Sequence, residues 1–367
     1  MKNNQIIVGI TQGDINGIGY EVIIKALSDT RILELCTPVI YGSPKVAAYH
    51  KKVIEAETVN FSHVRSADEI DIDRYNIINC CDDNVRVELG KVSDVAGEAA
   101  YLALEQAVED LRAGKIDALV TAPVSKEAIQ SNKFTFPGHT EYLADKFGVK
   151  DPLMLLIADG LRVGVVVGHT ALKDVASKIT KERIVSKLKI LHRSLISDFA
   201  CTNPRIAVLG LNPHNGDNGL LGDEEIRIIK PALHEAESMG ITALGPYPAD
   251  GFFGSGNFQK FDAILAMYHD QGLTPFKALT FDRGVNYTAG LPVIRTSPDH
   301  GTAFDIAGEN QASPQSFLEA LYLAIDVCRN RKIYKEISKN PLPKYETNLN
   351  GESEDIDLSA LEEQQQY

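Results

Sequence analysis

Short runs of β-branched and aliphatic residues alternate along this chain with longer stretches of helical spacing, and no other feature constrains the fold so tightly. The runs are IIVGI (6–10), PVIYG (38–42), YNIIN (75–79), DALVT (117–121), LMLLIA (153–158), RVGVVVG (162–168), RIAVLG (205–210), ITALG (241–245) and DAILAM (262–267). They are near-continuous rather than alternating, the pattern of strands covered by helices on both faces. Between them, GEAAYLALEQAVEDLRAG (97–114), KERIVSKLKILHRSLISDF (181–199), DEEIRIIKPALHEAESMG (223–240) and PQSFLEALYLAIDVCRN (314–330) carry apolar residues at helical spacing. The first of them closes on a glycine suited to a helix C-terminus. The expected class is a doubly wound α/β protein.

A chain of 367 residues is long enough for about two domains. Its net charge of −13 opposes the basic surface that binding to a phosphate backbone needs, so nucleic acid is not an expected partner. A small anionic substrate remains compatible, because basic residues inside a cleft outweigh the global charge. The cysteines Cys36, Cys80, Cys81, Cys201 and Cys328 form no CxxC pair and are odd in number, which reads as reduced thiols in a cytosolic protein. The opening MKNNQIIVGITQGD has too short an apolar run for a secretion signal. No stretch approaches the roughly 18 apolar residues of a membrane span. The expected location is the cytoplasm, with no membrane partner. From about Pro341 the sequence turns acidic and polar, and 341–367 reads as a disordered, solvated tail.

In open α/β sheets, ligands bind beyond the carboxyl ends of the strands. Three histidines occupy that kind of position: His169 follows VGVVVG, His214 follows IAVLGLNP, and His269 follows ILAMY. Any one alone reads as structural. Three together suggest a divalent-metal site with an open coordination position. Nitrogen ligands favour zinc, with Co2+ a neighbour, and oxygen donors from a substrate would widen the choice to Mg2+. His50, His63, His192 and His234 lie in helical or surface contexts and are expected to be solvated.

Two further segments are dense in polar residues. FPGHTEYLADKFG (136–148) puts His139 and Thr140 at a helix start, where free N–H groups favour an anion. The stretch 276–314, which reads as loop, supplies Lys277, Arg283, Asn286 and Arg295. Taken together these residues could clamp a phosphate or carboxylate. The run GDINGIGYE after the first strand matches neither the G-x-G-x-x-G fingerprint nor a phosphate-binding P-loop.

GHTEYLA, VVVGHTALKDV, LGLNPHNGDNG, GPYPADGFF, AMYHDQGLTPFK and RGVNYTAGLPVIRTSPDHGTAFDIAG together resemble the 4-hydroxythreonine-4-phosphate dehydrogenases of pyridoxal phosphate (vitamin B6) biosynthesis. The resemblance runs in order from about Ile6 to about Asn330. HGTAFDIAG is also similar to a segment of isocitrate and isopropylmalate dehydrogenases, which bind NAD or NADP without the usual glycine fingerprint.

The resemblance implies two α/β/α domains with a cleft between them. The first would comprise 1–130 plus about 285–340, on the nucleotide side, and the second about 131–284, on the metal and dimer side. It implies a homodimer with the site at the subunit interface and one metal histidine supplied by the partner chain. The metal ligands would be His169, His214 and His269, and the substrate contacts His139, Thr140, Lys277, Asn286 and Arg295. NAD, or NADP, would lie near His300, Gly301, Thr302, Ala303 and Asp305. The implied reaction oxidises 4-phosphooxy-L-threonine at C3 to 2-amino-3-oxo-4-phosphooxybutanoate, which loses CO2 to give 3-amino-2-oxopropyl phosphate. Asp250 and Asp270 are candidates for the general base or its relay, or for holding a metal ligand in place, as by orienting His269. The chain departs from the family pattern in GDINGIGYE, NPHNGD and PADGFF, none of which removes a ligand. Related enzymes oxidise 4-phosphoerythronate or 4-phosphothreonate, the leading alternative. A zinc hydrolase, or a non-enzymatic metal or nucleotide sensor, would use the same cleft differently.

Overall fold

The computed structural model describes residues 5–56, 59–82, 85–131 and 133–341. The expected tail at 341–367 therefore lies outside the described residues, apart from Pro341. Residues Met1–Tyr334 make up one compact unit and Lys335–Tyr367 a second; of the latter, the described part includes the end of the helix Gln315–Ile337.

The strands are β1 (Ile6–Thr11), β2 (Cys36–Gly42), β3 (Phe61–Val64), β4 (Tyr75–Asn79), β5 (Ala118–Thr121) and β6 (Leu153–Ala158). They continue as β7 (Leu161–Val167), β8 (Arg205–Leu209), β9 (Thr242–Tyr247), β10 (Ala263–Tyr268), β11 (Val285–Ala289) and β12 (Arg295–Pro298). All pair in a single 12-stranded sheet of order β3-β4-β2-β1-β5-β12-β11-β6-β7-β10-β8-β9. Strands β3, β4, β2, β1, β5 and β12 run parallel, as do β7, β10, β8 and β9. Antiparallel pairings of β12 with β11, β11 with β6, and β6 with β7 join the two parallel blocks.

Each apolar run predicted to be a strand is one, within a few residues at either end. The central strands are buried on both faces; every residue of β2 and β5 is buried. Two of the long helices start at a hydroxyl cap. Ser93 accepts the Ala96 N–H at the head of Asp94–Arg112, and Thr180 accepts that of Arg183 at the head of Lys181–Ser197. The expected helix at 223–240 begins instead as a π-turn over Glu225–Ile229 and continues as the α-helix Lys230–Ser238.

The segment 276–314 is not the loop expected. It holds the end of the helix His269–Thr280, then β11 and β12. The apolar pattern fails there because these strands bury polar side chains. Thr296 donates to the Ala320 carbonyl at 2.8 Å, and Arg295 donates to Thr121 at 2.7 Å. His50 is a second correction. It is 1% exposed, stacks on Tyr20 with ring centroids 5.4 Å apart, and its Nε2 lies 2.8 Å from the Ile15 carbonyl. Burial lowers its pKa.

Asp198 ties the site scaffold together. Its carboxylate, 1% exposed, accepts from Ser194 (2.7 Å), Ser197 (2.8 Å), Tyr287 (2.7 Å) and Arg331 (2.7 Å). These contacts join the helix Lys181–Ser197, strand β11 and the helix Gln315–Ile337. Among the described residues, no helix is long and apolar enough to cross a membrane.

Candidate active site

Strand β10 pairs in parallel with both β7 and β8, so the carboxyl ends of these strands share one edge of the sheet. His169 lies just beyond β7, His214 in the turn after β8, and His269 directly after β10 as the first residue of its helix. The rings of His169 and His269 lie side by side, tilted at 42° with centroids 5.8 Å apart. His214 does not join them within this chain. It lines a neighbouring cavity of about 490 Å³ with Asp250, Tyr268 and Gln271. Among the described residues, no cluster of three or more His, Cys, Asp or Glu side chains could hold a metal ion.

The turn that presents His214 is unusual. His214, Asn215, Gly216 and Asp217 all have positive φ, at 51°, 55°, 74° and 44°. That region is uncommon for residues other than glycine, although Asn, Asp and His enter it more readily than most, so a run of four such positions marks a tightly specified turn. Buried Glu225 holds the turn by accepting from the Leu211 and Asn212 N–H groups at 2.8 and 2.7 Å. Gly216 cannot carry a Cβ, which would meet the Gly222 carbonyl at 2.3 Å. Asp217 contributes a turn position with its side chain exposed.

A cavity of about 340 Å³ gathers His139, Thr140, Lys277, Asn286 and Arg295 with His169, His300 and Gly301. Residues from β5, β11, β12 and the helix His139–Lys146 thus meet in one place. Arg295 is 3% exposed, and its guanidinium bonds neutral groups only: Thr121 at 3.1 and 2.7 Å, Thr288 at 3.4 Å and His139 Nδ1 at 3.2 Å. Burial pushes its pKa down to about 10, against an opposing pull from Glu141. Among the described residues, no carboxylate forms an ion pair with it. Burial, and then the Arg295 charge, hold His139 far below the ordinary imidazole value, at about 3. His139 is therefore neutral, its Nδ1 accepts from Arg295, and its Nε2 carries the proton. Lys277 faces Asp299 at 3.1 Å, and burial raises the Asp299 pKa against that lysine.

Three polar atoms on side chains lining this cavity are buried without a hydrogen-bond partner: Glu141 Oε2, Asn286 Oδ1 and His300 Nε2. The three unpaired atoms are acceptors and could take donors from a ligand, while Arg295, with no ion-pair partner among the described residues, could hold an anionic group of it.

The remaining candidates divide. Asp270 Oδ1 sits 2.7 Å from His269 Nδ1 and is otherwise exposed. Asp250 is exposed on the His214 side. Thr302, Ala303 and Asp305 continue from the cavity wall, where the Thr302 carbonyl accepts the Ile18 N–H at 3.0 Å. This explains GDINGIGYE: Gly17 lies against Thr302, whose carbonyl would be 2.7 Å from a Cβ there. Arg283 stays outside, near Asp159 at 3.4 Å. Thr121, Lys126, Glu141 and Asp299 line the cavity without having been singled out from the sequence. Thr121 ends β5, so the strand-end rule that found the histidines applies to it as well.

An α/β sheet with a cavity walled by a buried arginine, and a histidine pair beyond its strands, is an arrangement that enzymes of small anionic substrates can use. The chain belongs to the family of the pyridoxal phosphate biosynthetic protein PdxA, whose model matches residues 34–324, and is an oxidoreductase. It is 55% identical over 364 residues to 4-hydroxythreonine-4-phosphate dehydrogenase of Bacteroides thetaiotaomicron, covering 99% of this chain and 100% of that one. A protein of Oceanobacillus iheyensis, provisionally named a D-threonate 4-phosphate dehydrogenase, is 41% identical over 88% of this chain and 97% of its own. The crystal structure of 4-hydroxythreonine-4-phosphate dehydrogenase from Klebsiella pneumoniae superposes with a TM-score of 0.79 at 34% identity, over 89% of this chain and 99% of that one.

Proposed function

We propose that the protein oxidises 4-phosphooxy-L-threonine at C3, using NAD and a divalent metal, in pyridoxal phosphate biosynthesis. The observation that carries this reading is buried Arg295, a cation with no ion-pair partner among the described residues, on the wall of a cavity that also holds Lys277 and unpaired polar atoms. The 55% identity to a named dehydrogenase of that substrate supports it. The provisional name of the relative at 41% identity keeps 4-phosphothreonate, with 4-phosphoerythronate, as the second substrate to test. The test is NADH formation on each of these compounds.

The nitrogen donors fit a zinc-like ion. His169 and His269 each have a carboxylate near Nδ1, at 3.7 and 2.7 Å, leaving Nε2 free as a donor. The third ligand would be His214 of the partner subunit, delivered across a homodimer interface. Buried, unpartnered His300 Nε2 and the adjoining loop through Asp305 suit a nucleotide. When bound, such an ion would supply Lewis acidity at the C3 hydroxyl and NAD would supply the hydride acceptor.

The chain's own residues then do the rest. Arg295 and Lys277 neutralise the phosphate or carboxylate, and neutral His139 donates from Nε2 to the same anion. Thr140 and Asn286 complete the clamp and fix the C3 position. Asp270, bonded to His269, serves as its orienting partner. Asp250, in the His214 cavity, would arrive with that histidine and is the base candidate. The proposed division into a lobe of 1–130 plus about 285–340 and a lobe of about 131–284 would put the boundary between β11 and β6 in the sheet order. Free thiols at all five cysteines agree with a cytoplasmic location.

A further inference from the structure

Glu141 lies in the first turn of the helix His139–Lys146, two residues from His139. Its Oε1 is 3.7 Å from His169 Nδ1, while Oε2 is buried with no hydrogen-bond partner. The other histidine of the pair repeats the relationship, with Asp270 Oδ1 at 2.7 Å from His269 Nδ1. In both pairs the carboxylate approaches the same ring nitrogen, and the two ring centroids lie 5.8 Å apart.

We infer that Glu141 is a positioning residue for His169, fixing its imidazole with the proton on Nδ1 and Nε2 turned toward the ion. The inference rests on the proposed metal reading of the histidine pair. An acidic residue in a first helical turn can also serve only the helix dipole, but that role needs no side chain aimed at a particular ring. Hydrogen bonds in ligand-free sites are often long and tighten on loading, so the 3.7 Å contact would contract as the ion is bound. A carboxylate on the far nitrogen also makes the ligating nitrogen more basic. Glutamine keeps the shape but loses the charge, and aspartate keeps the charge on a shorter stem. The two variants therefore separate charge from packing.

The test is Co2+ titration into metal-stripped full-length protein, followed by calorimetry and by the visible absorption of the bound ion. Glu141→Gln is expected to weaken Co2+ binding about 10- to 100-fold, Glu141→Asp to recover part of the loss, and His169→Ala to lose more. Thermal unfolding without metal should be unchanged in Glu141→Gln. If Glu141→Gln binds Co2+ like the wild type while His169→Ala does not, the positioning role is wrong. If His169→Ala also binds like the wild type, the histidine site itself is wrong. Should Glu141→Gln fail to fold, 15N-histidine spectra of the wild-type protein decide, with His169→Ala supplying the assignment: a proton on Nδ1 supports the role, and one on Nε2 overturns it.

Discussion

Arg295 Nη2 donates to His139 Nδ1 over 3.2 Å, so a buried cation leans on an imidazole that its surroundings keep neutral. The pair gives one wall of the cavity two donors and no negative charge. Arg295→Met should raise KM for the phosphorylated substrate roughly 30- to 100-fold, corresponding to the ~2–3 kcal/mol of a charge-assisted contact. The same change removes an uncompensated buried charge. Thermal unfolding in phosphate-free buffer should therefore show no loss of stability, and inorganic phosphate should raise the Tm of the wild type but not of the variant. Unchanged KM would contradict the clamp.

His139 makes stability depend on pH. Its pKa in the folded state, about 3, lies below the ordinary 6.5, so the folded protein resists a proton that the unfolded chain accepts. Stability is fully present above about pH 6.5 and is lost progressively as pH falls toward 3. Buried His50 acts in the same direction. Denaturant titrations at pH 7 and pH 5 should show His139→Gln losing about 1–2 kcal/mol less than the wild type over that interval.

Asp198 holds β11 and, through it, Asn286. Asp198→Ala leaves Arg331 and Tyr287 without their acceptor, and breaking such a buried pair costs about 3–5 kcal/mol. Equilibrium unfolding should read that loss. Asp198→Asn, which keeps part of the hydrogen bonding, should lose less.

If His214 serves the partner's site, variants should complement each other. His169→Ala and His214→Ala would each be inactive alone. Dimers re-formed from an equal mixture would contain one intact site in each mixed pair, restoring about a quarter of wild-type activity by random association. No recovery, with mixed dimers shown by mass spectrometry, would place all three histidines in one chain.

The strand-end histidines were legible because buried parallel strands announce themselves as apolar runs, and whatever follows such a run lies at the edge of the sheet. Strands β11 and β12 were not legible, because Asn286, Thr288, Arg295 and Thr296 break the apolar pattern, the last three being held by buried polar partners. Glu141 was hidden for a different reason. A glutamate in a first helical turn is ordinary, and only the placement of His169 beside it gives it a role. His50 misled because its partners, Tyr20 of the helix Gly19–Ala26 and the Ile15 carbonyl of the turn before it, reach the helix Pro44–Val53 only through the tertiary fold. The separation of His214 from the other two histidines likewise depends on how the turn after β8 is aimed, which no spacing encodes.

The most direct test of the account is absorbance at the NADH band when the enzyme, stripped of metal and then resupplied with Zn2+, Co2+ or Mg2+, is given NAD and 4-phosphooxy-L-threonine or its acid analogues. The account predicts no NADH without a divalent ion, restoration on its return, and a higher kcat/KM for the amino acid phosphate than for 4-phosphothreonate or 4-phosphoerythronate. Full activity in chelator, or a higher kcat/KM for the acid phosphates, would contradict it.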